Sequence, residues 1–119
     1  MYKIHFYQDK NGYEPVRAYL ERLNERNEKD SRINLNKIRD YIRILMIKGT
    51  NAGMPYVKHI DGDIWELRPL RNRVLFAGWH KGGFVLLHHF IKKSRKTPKK
   101  EIATAKRRFV DMLERSETE

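Results

Sequence analysis

The sequence predicts an α+β fold in which an antiparallel sheet carries two N-terminal helices on one face and a C-terminal helix, in the order β-α-α-β-β-β-β-α. Three observations predict it. A short alternating segment opens the chain, and two stretches of helical apolar spacing follow it. Three turn signals then separate short β-rich runs ahead of a last helical stretch. Two early helices can cover one sheet face, which makes a two-layer domain whose other face is at least partly open to solvent.

The elements follow in order. Ile4 and Phe6 alternate with Lys3 and His5, as in a half-buried strand over residues 2–7. Asp9, Lys10, Asn11 and Gly12 form a turn, after which Pro15 suits the first turn of a helix. Val16, Tyr19, Leu20 and Leu23 give that helix its apolar stripe, which fades near Asn27. Asp30 or Ser31 can cap a second helix, carried by Leu35, Ile38, Ile42 and Leu45 and stopped by Gly49 after Lys48. Pro55 ends helical structure, and residues 56–60 read as a strand. Asp61-Gly62 signals a tight hairpin into the strand 63–68, and residues 69–72 turn the chain again. Runs 73–80 and 84–92, joined by a turn at 81–83, complete the meander. The second of these is apolar on both faces at its start, which marks an interior strand. Thr97 and Pro98 suit the N-cap and first position of a last helix with Ile102, Ala105, Phe109, Met112 and Leu113 inward, and residues 116–119 fray.

A chain of 119 residues holds one domain, 1–119, with a modest core, since 39% of residues are hydrophobic. Lys and Arg number 26 against 15 acids, a formal charge of +11. Such an excess draws polyanions, of which nucleic acid is the commonest partner. The chain has no cysteine, which excludes disulfides, thiolate catalysis and Cys-bound zinc and fits a reducing cytoplasm. No secretory signal is visible and no apolar run is long enough to cross a membrane, so no membrane partner is expected.

The cations gather in the second half. Lys58 lies on the first meander strand, Arg68 closes the next, and Arg73 opens the one after, with Arg71 in the turn between. Residues 92–100 hold six Lys or Arg and no acid, Lys92, Lys93, Arg95 and Lys96 among them. His88 and His89 lie just before that run, and their adjacency on a strand places them on opposite faces. Which of the two faces the open side depends on register, because a slip of one residue exchanges the faces. Alternation puts Trp65 and Leu67 toward the core and Glu66 and Arg68 outward, where Arg68 can also pair with Glu66 or Asp63.

This residue set suits phosphodiester cleavage by a neighbouring 2′-hydroxyl. That reaction needs a base, cations on the phosphorane and an acid for the leaving oxygen. Arginine binds phosphate oxygens bidentately and stays charged. No metal site and no cofactor are expected: Asp61-Gly62-Asp63 reads as turn chemistry, and neither a zinc-binding His-Glu-x-x-His nor a phosphate-cradling glycine loop is present.

Two elements carry a family resemblance. Trp65-Glu66-Leu67-Arg68 followed by Arg73-Val74-Leu75-Phe76 is the first. His88-His89-Phe90-Ile91-Lys92-Lys93-Ser94-Arg95-Lys96-Thr97-Pro98, with Glu101-Ile102 and Ala105 beyond it, is the second. Together they resemble the phage-derived, HigB-like branch of the RelE/HigB superfamily over nearly the whole chain. The resemblance implies a RelE-like fold and the toxin of a type II toxin–antitoxin system. It implies a ribosome-dependent, metal-independent endoribonuclease that cuts mRNA in the cytoplasm. The implied partners are mRNA, the ribosome and a cognate antitoxin of helix-turn-helix, HigA-like type, with operator DNA bound only through the antitoxin complex.

By the same resemblance Arg68 and Arg73 match the active-face arginines, and His89, Lys92, Lys93 and Lys96 match the basic end of the last strand. Strand placement adds Lys58, and the basic surround adds Arg71 and Arg95 as RNA-binding positions. Many relatives place a tyrosine near the scissile phosphate. This chain has none after Tyr56, so proton transfer falls to His89 or a lysine. The alternatives are a non-nuclease toxin or nucleic-acid-binding module, such as the gyrase-directed ParE branch, and a translation factor whose charge serves only the ribosome.

Overall fold

In the computed structural model, residues 1–80 and 82–117 are described. The elements are β1 (Lys3–Phe6), α1 (Pro15–Glu25), α2 (Lys29–Lys48), a 3-10 turn (Gly49–Ala52), β2 (Val57–Asp61), β3 (Ile64–Leu67), β4 (Asn72–Gly78), β5 (Gly83–Ile91) and α3 (Lys99–Glu117). This is the α+β order that the sequence predicts. The five-stranded sheet has the spatial order β1-β5-β4-β3-β2. Its meander is antiparallel, while β1 joins β5 in parallel, with Ile4 opposite Phe84. β5 is therefore an interior strand, as its two apolar faces require.

Pro15 opens α1, where its missing N–H costs nothing. α2 begins at Lys29, one turn earlier than a cap at Ser31 would allow. Its N-cap, Glu28, makes no side-chain capping bond, and Asp30 instead lies in the first turn, where a carboxylate favours the helix dipole. Gly49 stops α2 at φ +60°, and a Cβ there would lie 2.8 Å from the Tyr2 ring, so only glycine fits.

α1 and α2 pack on one sheet face. Val16 and Leu45 meet Val57, Leu67, Val74, Phe76 and Leu86 there, with Trp65 on the same side. Leu23, Leu35 and Ile38 close the seam between the helices. The other face is largely covered. α3 lies on it, and Ala105, Phe109 and Met112 bury Ile64, Leu75, Ala77, Val85 and Leu87. The reason is the apolar stripe of α3, which needs a sheet face as α1 and α2 do. What stays uncovered on this face is the end beside the start of α3.

A register shift in the β4–β5 ladder sets the faces of the last strand. Phe76 pairs with Leu86 but Leu75 pairs with His88, so Leu87 is an extra residue. Phe84 and Leu86 face α1 and α2, whereas beyond the bulge His88 and Phe90 face α3 and His89 faces α1. Simple alternation along β5 fails at this one residue.

α3 starts at Lys99 and not at Pro98, because the Thr97 hydroxyl donates to Glu66 (2.6 Å) instead of capping the helix. α3 also continues through Glu117, past the expected fraying at Ser116 and into the last described residue. Residues 118 and 119, and Lys81 in the expected turn at 81–83, lie outside the described residues.

Candidate functional site

Glu66 organises the uncovered end of the α3 face. It is 3% exposed, and Leu75 on β4 and Lys58 on β2 stand opposite it in the ladders. Its Oε1 lies 3.4 Å from Arg68 Nε and 3.7 Å from Arg73 Nε, and its Oε2 accepts the Thr97 hydroxyl bond. One buried carboxylate thus gathers two guanidinium groups and ties them to the segment leading into α3. A buried carboxylate is stable only when paired and hydrogen-bonded in this way.

Arg73 is 6% exposed. Its Nη1 donates to the carbonyls of Leu70 (2.9 Å) and Asn72 (2.8 Å), which fixes the turn at 69–72. Leu70 holds φ +57° in that turn, a left-handed conformation unusual for leucine. Burial pushes the Arg73 guanidinium below its ordinary value and Arg68 adds to this, while Glu66 opposes it. Arg73 Nη2 makes no hydrogen bond within the described residues. Arg68 Nε is buried and likewise lacks a hydrogen bond, since its approach to Glu66 is an ion pair off hydrogen-bond geometry. Arg68 Nη1 donates to Met54 Sδ (3.1 Å), whereas the spare N–H of Arg73, which lines a cleft, can take an outside acceptor.

Arg73 and Glu66 line a shallow cleft with Phe90, and residues 92–98 form the opposite wall. That wall carries Lys92, Lys93, Arg95 and Lys96. A second depression adjoins it, lined by Arg71, Lys92, Lys93 and Ser94. Arg71 and Lys92 hold the two together by reciprocal bonds: Lys92 N–H donates to the Arg71 carbonyl (2.7 Å) and Arg71 Nη2 to the Lys92 carbonyl (3.0 Å). Among the described residues Lys58, Lys92, Lys93, Arg95 and Lys96 make no ion pair.

The structure therefore brings Arg68, Arg71, Arg73, Lys92, Lys93, Arg95 and Lys96 to one end of the sheet, with Lys58 beside Glu66 on the edge strand. It does not bring His89. That ring lies on the opposite face, stacked on Tyr19 at 3.5 Å between centroids and 3.0 Å from Asn72 Oδ1. Burial drives its pKa down to about 3, with smaller contributions from His88 and Arg22. His88 faces α3, where Nε2 meets Glu101 (2.9 Å) and Nδ1 accepts from Arg108 (3.1 Å). Both histidines are bound up in packing. A slip of register, which alternation alone cannot detect, separates them from the cations.

Glu66 is the residue that sequence reasoning treated only as a partner for Arg68. A signal for its role was present: between Asp63 and Glu101 it is the sole acid among ten Lys and Arg. An isolated carboxylate in such a stretch is the natural point on which buried arginines converge.

The neutral, buried His89 makes acid stability testable. Its folded pKa lies below the unfolded value near 6.5, so between pH 6.5 and about 3 the unfolded chain binds more protons. Stability is then full above pH 6.5 and falls as pH drops, by up to about 1.4 kcal/mol per unit. His89→Gln, read by urea unfolding at pH 7 and pH 4.5, is expected to narrow the gap between the two midpoints. An unchanged gap would show that His89 does not titrate as its surroundings require.

A small basic α+β fold with helices on both sheet faces and a cation-lined cleft built on one buried carboxylate defines the class of protein. A family model described as "Phage derived protein Gp49-like (DUF891)" matches residues 14–110, which include every residue of the cleft. The chain belongs to that family, a toxin-like family of the RelE/HigB type. Membership implies an antitoxin partner in general. No curated protein matches the chain. Among the described residues no helix is long and apolar enough to cross a membrane.

Proposed function

We propose that the chain, residues 1–119, acts as a single toxin domain that cleaves mRNA on the ribosome, in the cytoplasm and without a metal. The observation that carries this reading is the convergence of Arg68 and Arg73 on Glu66, facing the lysines of residues 92–96 across one cleft. In the proposed reaction the RNA 2′-hydroxyl attacks the adjacent phosphorus and the 5′-oxygen leaves. The spare Arg73 N–H holds a non-bridging oxygen as negative charge builds on it, and the Arg68 guanidinium beside it adds its positive field. Lys92 or Lys93 donates a proton to the leaving oxygen. Glu66 is committed to Arg68, Arg73 and Thr97, so the second of these lysines takes the 2′-hydroxyl proton. Lys58, Arg71, Arg95 and Lys96 hold the flanking phosphates. His89 takes no part, being neutral and on the far face.

The same reading assigns a cognate antitoxin of helix-turn-helix, HigA-like type, with operator DNA bound only through the complex. An antitoxin surface rich in acids would complement the charge of +11. The test is primer extension on cellular mRNA after brief induction. Discrete new 5′ ends with the wild-type chain, absent with an Arg68→Ala/Arg73→Lys double variant, support the proposal. Growth arrest with intact mRNA and a DNA-damage response would instead place the toxin with gyrase inhibitors, and no arrest at all would leave a non-toxic binding module.

A further inference from the structure

An unassigned feature of the chain lies away from this cleft. It is a pocket of about 510 Å³ between the loop after β1 and the middle of α3. Tyr13, Lys10, Arg107 and Arg108 line it, together with Asp9 and Asp111. Both acids are committed within the chain. Asp9 Oδ1 accepts from the backbone N–H groups of Asn11 and Tyr13 (both 2.9 Å). Asp111 Oδ2 accepts from the Tyr7 hydroxyl (2.6 Å) and pairs with Arg115 (3.0 Å).

The cations are less committed. Arg108 reaches inward to the Leu87 carbonyl (2.8 Å), but Lys10 and Arg107 are exposed and form no ion pair among the described residues. Tyr13 is 52% exposed, and among the described residues its ring stacks on no other ring and its hydroxyl makes no hydrogen bond. A free aromatic face beside two free cations is the combination that binds a single-stranded nucleotide, by stacking the base and neutralising the phosphate. The volume falls in the range of small-ligand pockets.

α3 links this pocket to the cleft. Thr97, just before the helix, is bonded to Glu66, and eight residues separate Lys99 from Arg107, a rise of about 12 Å along the axis. Lys99 and Lys100 stand exposed at the start of that path. The geometry points to a second RNA site, in which Tyr13 stacks one unpaired base and Lys10 and Arg107 hold its phosphate, on a strand whose scissile bond lies in the Glu66 cleft. This site rests on the nuclease reading for the identity of its ligand.

Fluorescence anisotropy with a labelled 12-nucleotide single-stranded RNA, and with a duplex RNA of the same length, tests it. Tyr13→Ala is expected to weaken the single strand by about 5- to 30-fold and to leave the duplex, whose bases are already stacked, unchanged. Tyr13→Phe restores the single-strand affinity, and the Lys10→Ala/Arg107→Ala pair weakens both probes. The proposal is overturned if Tyr13→Ala leaves the single strand unaffected, or lowers both probes alike. It is also overturned if the variants keep their RNA affinity and lose only an acidic protein partner. A wild-type chain that leaves mRNA intact in cells would defeat the nuclease reading, and the single-strand and duplex difference would still report on this pocket.

Discussion

Replacing Arg73 with lysine is expected to lower RNA cleavage by about 10²- to 10³-fold while the chain still folds. Lysine keeps the positive charge near Glu66 but cannot do the rest at once. Arg73 Nη1 holds the carbonyls of Leu70 and Asn72, Nε faces Glu66, and Nη2 is left for the phosphate. A compact ammonium lacks that fork. Arg73→Ala is a poorer test of chemistry, because it also frees the turn at 69–72 and leaves a buried space. Growth arrest and cleavage in cells, set beside a thermal melt of the purified protein, separate the two effects. A toxic Arg73→Lys variant with normal cleavage would remove Arg73 from the reaction.

Loss of Glu66 is expected to have the largest effect on stability. Glu66→Ala leaves Arg68 and Arg73 facing one another in a nearly buried place and takes the acceptor from Thr97. Breaking a buried pair by removing one partner costs about 3–5 kcal/mol, because the remaining charge stays behind. For a chain of this size that is a fall in Tm of roughly 10–25 °C. Glu66→Gln keeps the volume and an acceptor for Thr97, so its melt should fall less. It still lacks the charge that collects the two arginines, and its cleavage should fall with that of Arg73→Lys. Thermal melts of the two variants check the first claim. A Glu66→Ala melt within about 2 °C of the wild type would mean that the carboxylate does not hold the cleft together.

The order of elements was legible because each has its own local signature. Leu35, Ile38, Ile42 and Leu45 spell a helix, and Asp61-Gly62 spells a hairpin. The covering of the second sheet face was not legible, because the apolar stripe of α3 does not say which face it will cover, and Leu113, expected inward with Ile102, Ala105, Phe109 and Met112, is 37% exposed. The site divides in the same way. Arg68, Arg73 and the lysines of residues 92–96 follow from strand ends and charge. His89 does not, because the extra residue Leu87 exchanges the faces of β5 and no local pattern marks it. Glu66 was visible as a partner for Arg68 but not as the partner of Arg73 or Thr97, which belong to other elements of the sheet and to the segment beyond it. Pairings across elements are set by register, and register is a property of the assembled sheet.

The most direct measurement uses ribosomes programmed with two mRNAs that differ at one atom. One is all-ribose, and the other carries a single 2′-deoxy nucleotide on the 5′ side of the mapped break. In the proposed reaction the neighbouring 2′-hydroxyl is the nucleophile. The purified chain should therefore cut the first mRNA, leaving a 5′-hydroxyl end, and leave the second whole at that position. Equal cutting of both messages, or a 5′-phosphate on the product, would contradict this account.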